Sequence, residues 1–288
     1  MLLQDYDFYL ADSDAARSIH YNLRYQVYCL REKFENPASH PNFLEQDQYD
    51  ELAAHFIVRS RLTREWLGAM RLIVAPVQKL PVSKISSLDP TSFTGVTPKR
   101  AAEASRLCTL MPTTPRSNFA PSPPKLRKPQ VRPQGLVSHA LQTSWMAIGL
   151  IRAARQYCLK HDILYCFFLI NDPLARMLRR LGMEIEPVGS PCLHRGWRRP
   201  YIHNVKTGYH AMSTRSPELY KVFSRLTAYS RFSKWENTAE ALPLAACGGD
   251  HQSVIHRTNM TLTRQKPADQ SRTGHERPLL RAPAAPSF

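Results

Sequence analysis

The sequence predicts an α/β protein with a mixed central sheet flanked by helices. Residues 163–170 form a continuous apolar run, which is typical of a strand covered on both faces. Two other strand-like stretches, residues 55–59 and 66–74, are separated by a short polar segment, as in a hairpin. From residue 138 onward, helix-like and strand-like segments alternate, and this alternation favours helices packed on the faces of a sheet.

Hydrophobic periodicity predicts the helices. The first is expected to begin at Asp14 or Ser18, with apolar residues three or four positions apart. The second is expected to begin at Ser138 and to be long and well buried, because its apolar stripe is wide. A short third helix is expected over residues 174–181, and residues 216–235 predict one further helix that is basic and amphipathic.

One domain, residues 1–236, is predicted to hold all of these elements. Hydrophobic residues make up 43% of the chain, which excludes a wholly disordered protein. Residues 112–135 contain seven prolines and five basic residues but no acidic residue, and they predict a flexible insertion. Residues 237–288 lose the hydrophobic periodicity, and they predict a disordered basic tail.

Charge is distributed unevenly along the chain. The 288 residues carry a formal net charge of +16. Residues 1–60 hold ten acidic and five basic residues, so the remainder of the chain is even more basic than the total indicates. An acidic first fifth beside a basic remainder suggests two binding tasks of opposite polarity.

Several classes of protein are not expected. The longest apolar run, residues 163–170, is far shorter than the roughly 20 residues that a membrane-spanning helix needs. The first residues are acidic where a secretory signal would be basic. The six cysteines form no C-x-x-C pair and the eleven histidines show no paired ligand spacing, so neither disulfides nor a metal site is expected. The expected compartment is the cytoplasm, with peripheral contact to the inner membrane left open.

Four short motifs in the first half of the chain carry a resemblance. They are Arg24-Tyr-Gln-Val-Tyr28, Tyr49-Asp50 at the end of an acidic segment, Gly68-Ala-Met-Arg71-Leu, and Glu103-Ala-Ser-Arg106. In this order and at these separations they resemble the acyl-homoserine-lactone (autoinducer) synthases, whose fold is that of the GNAT (acyl-CoA N-acyltransferase) superfamily. The resemblance is closer to the related acyltransferases associated with PEP-CTERM/exosortase systems. It covers roughly residues 8–210, including the proline-rich insertion before the long helix.

The resemblance implies a GNAT-like fold and the transfer of a fatty acyl group to an amine. It places catalytic roles on Glu103 and Arg106, at the start of a strand-like stretch. Acylation needs a neutral amine nitrogen, so a nearby carboxylate can remove a proton as the attack proceeds. The alternative for Glu103 is an ion pair with Arg71 or Arg106 that only braces the sheet.

The resemblance also implies a site for the amine donor. Its residues are Arg24, Tyr28, Phe34, Asp47, Asp50 and Arg71. The two aspartates would bind the ammonium group, while the arginines would order them or meet a carboxylate of the donor. The alternative is an ordinary solvated acidic loop. Phe34 stands where the synthases usually have a tryptophan that packs on S-adenosylmethionine, so a free amino acid and S-adenosylmethionine are both candidates for the amine.

The residues implied for the acyl donor lie mostly in the second half of the chain. They are Ser105, Arg132, Gly135, Trp145, Phe168 and Asn171. The segment from Arg132 to Val137 matches the phosphate-binding loop of acetyltransferases at its first two positions only. A carrier protein needs less of that loop than coenzyme A, and arginines at 152, 155, 176, 179 and 180 are expected to dock it. For the two aromatic residues the alternative is core packing.

Three functions follow from these patterns. The first is an N-acyltransferase with no tightly bound cofactor, whose co-substrate is an acyl thioester of acyl carrier protein or coenzyme A and whose acceptor is a small amino compound. The second is an acetyl-coenzyme A-dependent N-acetyltransferase. The third is a basic adaptor without catalysis that binds an anionic membrane or nucleic acid. The adaptor gives the motif residues no role, so nucleic acid is not expected as a partner, and an anionic membrane surface stays open.

Overall fold

The computed structural model describes residues 3–93, 101–111, 134–225 and 227–238. These belong to one compact unit, Met1–Ala246. A second unit, Cys247–Phe288, lies outside the described residues. Most of the predicted insertion and all but two residues of the predicted tail also lie outside them.

A mixed sheet of nine strands forms the centre of the described part. The strands are β1 (Tyr6–Leu10), β2 (Ala53–Ser60), β3 (Trp66–Val74), β4 (Ala101–Thr109), β5 (Tyr165–Ile170), β6 (Glu186–Pro187), β7 (Cys192–Leu193), β8 (Trp197–Asn204) and β9 (Ser230–Arg231). Their order is β6-β8-β5-β4-β3-β2-β1-β9, and β7 pairs with β8 beside this path. Two pairs, β4 with β5 and β1 with β9, are parallel, and the others are antiparallel.

Helices flank this sheet, so the predicted fold class is confirmed. They are α1 (Asp14–Arg24), α2 (Pro81–Ile85), α3 (Gln134–Lys160), α4 (Asp172–Arg180), α5 (Met212–Arg215), α6 (Pro217–Ser224) and α7 (Phe232–Glu236). Helix α1 continues directly into a π-helical segment, Tyr25–Arg31.

The two faces of the sheet pack differently. On one face, α3 covers a large apolar core that includes Met70 and Leu72 of β3. On the other face the apolar residues form two separate clusters, of which one contains Ala69 and the other Ile73. Because side chains alternate along a strand, Arg71 lies on this second face between the two clusters. The fold thus leaves a polar gap in the middle of one face.

Strands β4 and β5 separate part-way along their length. Their parallel pairing runs only from Ala101↔Tyr165 to Ala104↔Phe168, although both strands continue. On its other side, β4 has a bulge against β3 at Arg106, which has a positive φ of 54°. A non-glycine residue in this region is uncommon and is found often at functional sites. The separation opens a gap beside the bulge.

Two helix starts differ from the prediction. Helix α1 is capped by Ser13, whose backbone is extended and whose hydroxyl accepts a hydrogen bond from the N–H of Ala16. The predicted caps Asp14 and Ser18 are therefore wrong, since both lie inside the helix. Helix α3 begins at Gln134 instead of Ser138, so the end of the predicted insertion forms its first turn.

The single helix predicted over residues 216–235 is wrong. This segment forms α6, then β9, then α7. Its periodic apolar residues are buried, but Leu219 and Phe223 pack in the core beneath α3, whereas Phe232 and Trp235 pack in a cluster on the other face. Since one straight helix cannot reach both clusters, the chain breaks between them and pairs with β1. The strand predicted from residue 183 is also shorter, and only Glu186–Pro187 pair.

Close packing of α3 on β1 yields a stability prediction. A Cβ atom at Gly149 would overlap the ring of Phe8. Helix propensity favours alanine over glycine by about 1 kcal/mol, but overpacking of a core costs roughly 1–3 kcal/mol. We expect Gly149→Ala to lower the free energy of unfolding, as measured by urea denaturation. Adding Phe8→Leu should restore part of the loss, and simple additivity of the two changes would contradict this contact.

Candidate active site

Charged side chains from several segments meet in the polar gap of the sheet. We call them the ion-pair cluster: Arg24, Glu35, Glu45, Asp47, Asp50, Arg71, Arg106 and Arg195. Arg24 and Arg71 have 0% and 1% of their surface exposed, which is rare for arginine unless it is paired. The cluster contains four arginines and four carboxylates, so its charges balance.

The inner half of the cluster is held by Arg24 and Arg71. Arg24 donates from Nε to Glu45 and from Nη1 to Oδ1 of Asp50, at 2.6 Å. Arg71 donates from Nη1 to Oδ1 of Asp47, at 2.5 Å, and to Oδ1 of Asp50, at 2.9 Å. In the described part of the chain, Nη2 of Arg24 has no hydrogen-bond partner. This buried arginine therefore has one donor to spare.

The outer half of the cluster is built around Arg106 on the β4 bulge. Its Nη2 lies 3.0 Å from Glu45 Oε1 and 3.0 Å from Asp47 Oδ2, and 3.6 Å from Glu35 Oε1. Glu35 is also paired with Arg195. The guanidinium carbon of Arg106 lies 5.4 Å from the ring centroid of Tyr28, within the range of a cation–π contact. The bulge thus places Arg106 where it joins three carboxylates.

These contacts favour the ionised forms of Asp50, Glu45 and Arg24. Burial alone would raise the pKa of Asp50, but the charges and hydrogen bonds of Arg24 and Arg71 outweigh burial and lower this pKa to about 2. Burial likewise opposes ionisation of Glu45, and Arg24 and Arg106 lower its pKa below the usual value. The same carboxylates raise the pKa of Arg24 against the effect of burial.

Two buried histidines border the cluster. The ring of His20 lies 4.6 Å from that of His55, centroid to centroid. Nε2 of His55 is 3.0 Å from the carbonyl oxygen of Asp50. Burial lowers the pKa of His55 to about 4 and that of His20 well below its usual value, and the nearby arginines add to this effect. Both rings are therefore neutral at pH 7.

Glu103 is buried at the edge of this polar gap. It lies in β4, where it pairs with Ile73 on one side and Phe167 on the other. Its Oε2 accepts a hydrogen bond of 2.7 Å from the N–H of Val82, in the first turn of α2. Burial raises the pKa of Glu103 to about 7, while this hydrogen bond and the charges of Arg71 and Arg106 partly oppose the rise. A carboxyl with this pKa exchanges a proton readily at neutral pH.

An aromatic wall lies on the outer side of the cluster. The rings of Tyr28 and Phe34 are 6.2 Å apart, centroid to centroid, and the hydroxyl of Tyr28 donates to the carbonyl oxygen of Leu107, at 3.2 Å. Phe34 is exposed and lines a shallow hollow together with Glu35 and Pro37. All residues that line this hollow lie between positions 29 and 37, and Glu35 is the one member of the ion-pair cluster among them.

A narrow apolar cavity lies on the opposite face of the sheet, beneath α3. It is lined by Ala104 and Phe168, the last paired residues of β4 and β5, and by Ile151 and Ala154 of α3. Phe223 of α6 also lines it. The cavity thus lies beside the point where β4 and β5 separate, on the face of the sheet opposite the ion-pair cluster.

The other residues predicted to bind the acyl donor do not lie together in one place. Ser105 accepts a hydrogen bond from Nε of Arg71, at 3.1 Å, so it belongs beside the cluster. Asn171 is exposed, and its side chain caps α4 by accepting from the N–H of Leu174. Trp145 packs against the core beneath α3 but does not line the cavity. Gly135 lies in the first turn of α3, and Arg132 falls outside the described residues.

Comparisons with known proteins agree with this architecture. Residues 23–112 match the family model of the acetyltransferase (GNAT) domain. A CoA-dependent acyl-homoserine lactone synthase, BjaI, solved with SAM and isopentyl-CoA, superposes with a TM-score of 0.51 at 14% identity, covering 88% of this chain and 98% of that chain. The chain has a GNAT-like fold.

Two further solved structures are similar at lower TM-scores. TofI, in a ternary complex with an inhibitor and MTA, has a TM-score of 0.49 at 17% identity, covering 75% of this chain and 99% of that one. FeeM, an N-acyl amino acid synthase from uncultured soil microbes, has a TM-score of 0.44 at 15% identity, covering 73% and 96%. No curated protein matches the chain by sequence.

The expected docking face of five arginines does not form on this GNAT-like fold. Arg152 is buried, and its Nη2 donates to the carbonyl oxygen of Thr227, at 2.6 Å. Arg155 is partly buried and donates from Nε to the carbonyl oxygen of Val205, at 3.1 Å. Both side chains thus hold the segments around α6 in place. Arg176 and Arg180 are exposed, and neither makes a hydrogen bond of this kind within the described residues.

Three members of the ion-pair cluster were missed in the sequence: Glu35, Glu45 and Arg195. Glu45 is the most buried carboxylate of the cluster, although it lies in a polar loop. One signal in the sequence points to it. The motifs contain three arginines but only two aspartates, and buried charges are paired, so a third carboxylate is needed. Arg195 lies 160 residues from Glu35, and nothing local in the sequence links them.

Metal binding has no support in the described part of the chain. No group of three or more His, Cys, Asp or Glu side chains in these residues could hold a metal ion.

Proposed function

We propose that this chain is an N-acyltransferase, which moves an acyl group from a thioester to the amine of a small amino compound. The observation that carries the proposal is Glu103, a buried carboxyl with a pKa of about 7, beside the ion-pair cluster and the gap between β4 and β5. A base of this pKa suits the deprotonation of an amine at neutral pH.

The proposed reaction is direct. The amine nitrogen attacks the carbonyl carbon of the thioester, the C–S bond breaks, and an amide and a free thiol result. The proton lost by nitrogen passes to Glu103 and from there to the departing sulfur. A covalent intermediate on cysteine is disfavoured, since burial raises the pKa of Cys108 to about 12 and leaves its thiol protonated.

The amine is proposed to bind beside Phe34 and Tyr28, at the partly exposed edge of the ion-pair cluster. Asp47 is partly exposed, unlike Asp50, so it is the carboxylate that can meet an ammonium group. Arg106 and Arg195 are 12% and 20% exposed, so they are the arginines of the cluster that can meet a carboxylate on the same acceptor. These features favour an acceptor that carries both charges, either a free amino acid or S-adenosylmethionine. Asp50 would then position Arg24 and Arg71, which both donate to it.

The acyl chain is proposed to occupy the apolar cavity lined by Ala104 and Phe168. The cavity has a volume of about 20 Å³, room for about one water molecule, so a fatty acyl chain must displace the side chains around it to enter. Acetyl-coenzyme A therefore belongs among the thioesters to be compared. The donor is an acyl-phosphopantetheine, carried either by acyl carrier protein or by coenzyme A. The BjaI structure contains isopentyl-CoA, and the free N–H groups of the first turn of α3, near Gly135, can receive a phosphate.

Mass spectrometry of lipid extracts tests this function. Cells that express the chain should contain an acylated amine that is missing from cells expressing Glu103→Gln. The purified protein should then release thiol from an acyl thioester only when the amine is added. Parallel reactions with acyl carrier protein and coenzyme A thioesters, and with amino acids and S-adenosylmethionine, identify both substrates. A folded protein that yields no product in any of these reactions would refute the proposal.

The narrower resemblance, to the acyltransferases associated with PEP-CTERM/exosortase systems, stays a prediction from the sequence. Lactone formation needs a further step and a suitable amine, so it is not included in the proposal.

The proposed acyl cavity makes a specificity prediction. Ala104→Leu should reduce the space in the cavity and shift the preferred acyl chain to shorter lengths, because each methylene left in water loses about 0.8 kcal/mol. Competition between thioesters of several chain lengths measures the shift. Ile151→Val, which enlarges the same cavity, is the control and should not shorten the preference. An unchanged profile in an active Ala104→Leu variant would place the chain elsewhere.

A further inference from the structure

The hairpin formed by β7 and β8 exposes two large apolar side chains. Leu193 and Trp197 are cross-strand partners, and they have 73% and 69% of their surface exposed. Among the large hydrophobic residues in the described part of the chain, only Leu62 is more exposed, at 85%. An adjacent exposed pair of this size is uncommon on a protein surface and indicates a contact with something apolar.

The same hairpin is strongly basic. Residues 192–199 contain three arginines and one histidine but no acidic residue. Nε of Arg198 donates to the carbonyl oxygen of His194, at 2.9 Å, which holds this arginine along the hairpin. An apolar tip with cationic flanks matches the boundary of a bilayer, where hydrocarbon lies just below anionic phosphates.

The tip is also held in one conformation. Arg195 and Gly196 have φ values of 51° and 93°, as in the tight hairpin turns that match the twist of paired strands. Arg195 is anchored in addition by its ion pair with Glu35. A rigid projection loses little conformational entropy on binding, so the two apolar side chains are pre-organised for insertion.

We propose that this hairpin docks the protein on an anionic lipid surface, with Leu193 and Trp197 in the interfacial layer and with Arg198 and Arg199, the two arginines that are not paired with Glu35, near the phosphates. No helix among the described residues is long and apolar enough to cross a membrane. Tryptophan is enriched at such interfaces because its ring is apolar and its N–H is polar.

A lipid surface suits this feature better than a protein partner. The two side chains project from a tip instead of lining a groove, and a fluid bilayer needs no complementary shape. The lipid hypothesis uses both halves of the surface.

Vesicle binding of the full chain tests the proposal. We expect the protein to sediment with vesicles of phosphatidylglycerol and phosphatidylcholine, and only weakly with phosphatidylcholine alone. The double variant Leu193→Ser/Trp197→Ser should bind the anionic vesicles at least about tenfold more weakly, since it lacks the two apolar side chains that become partly buried in the lipid. The control is Leu62→Ser, which removes an even more exposed leucine beside Arg61 and should leave vesicle binding unchanged.

Fluorescence quenching reports insertion directly. Brominated lipids should quench the tryptophan emission of the wild type, and Trp197→Phe should abolish this quenching while it keeps the vesicle binding. Three results would overturn the proposal. The double variant could bind anionic vesicles as tightly as the wild type does, or the wild type could bind neutral vesicles as tightly as anionic ones. The third result is a double variant that binds vesicles normally but binds acyl carrier protein more weakly. The last result would assign the hairpin to a protein partner. None of these readouts requires acyl transfer.

Discussion

Replacing Arg24 with methionine is expected to lower the free energy of unfolding by about 3–5 kcal/mol. Arg24 is fully buried and pairs with Glu45 and Asp50, which are also buried. Methionine fills a similar volume, but it leaves these carboxylates without their main counter-charge. Removing one partner of a buried ion pair is far more damaging than removing an exposed pair, because the remaining charge stays out of water.

Equilibrium denaturation by urea at pH 7 measures the effect, with Arg17→Met as the control. Arg17 lies in the same helix and pairs with Asp14, but its side chain is 40% exposed. An exposed pair of this kind is worth less than about 1 kcal/mol. The loss in Arg24→Met should shrink at acid pH, as the orphaned carboxylates become protonated. Equal losses in the two variants would show that the cluster is not a stabilising network.

Glu103→Gln is expected to abolish most of the proposed acyl transfer and yet to stabilise the fold above neutral pH. Loss of a general base lowers the rate by roughly 10²–10⁴-fold. The pKa of Glu103 is raised from 4.5 to about 7 by folding. The folded state therefore binds this proton more tightly, and its contribution to stability is present below pH 4.5 and lost as the pH rises through 7.

Glutamine does not ionise, so the variant escapes this loss. At pH 8 it should exceed the wild type by up to about 3 kcal/mol in the free energy of unfolding, and the difference should vanish near pH 4.5. The wild-type rate should rise with pH around a midpoint near 7. Glu51→Gln, at an exposed glutamate, is the control and should leave both profiles unchanged. An active variant, or one less stable at pH 8, would contradict the assigned role.

The sheet was predictable where a local pattern has one structural solution. The apolar run of residues 163–170 can only be buried on both faces, and the structure places β5 in the middle of the sheet. The paired stretches around residue 62 form a hairpin for the same reason. Local sequence determines such elements because side-chain alternation and the turn between them leave no other register.

Tertiary contacts determine the structure of residues 216–235, which hydrophobic periodicity alone did not predict correctly. Residues 216–235 have the spacing of one helix, but their apolar residues belong to two clusters on opposite faces of the sheet. The carbonyl oxygen of Thr227 accepts from Arg152 and the N–H of Ala228 donates to Gln156, at the point where the helix would have continued. A periodic pattern gives the burial of each residue but not the partner that buries it.

The candidate site was foreseen only in part. The motifs contained Arg24, Arg71 and Arg106, and the structure brings these three together in one cluster. They did not contain Glu45, whose position depends on the path of an irregular loop. The raised pKa of Glu103 was equally hidden, because it results from burial against α2 and not from any neighbour in sequence.

The parallel strand β9 also has a consequence for how the chain is made. It covers the outer edge of β1, and Asp12 accepts from the N–H of Ser233, a contact that spans 221 residues. While the protein is being synthesised, this edge stays open until the segment around β9 has left the ribosome. An unpaired edge is a template for wrong pairing, and contacts this distant form late. The nascent chain is therefore most vulnerable to aggregation and proteolysis just before its sheet is complete.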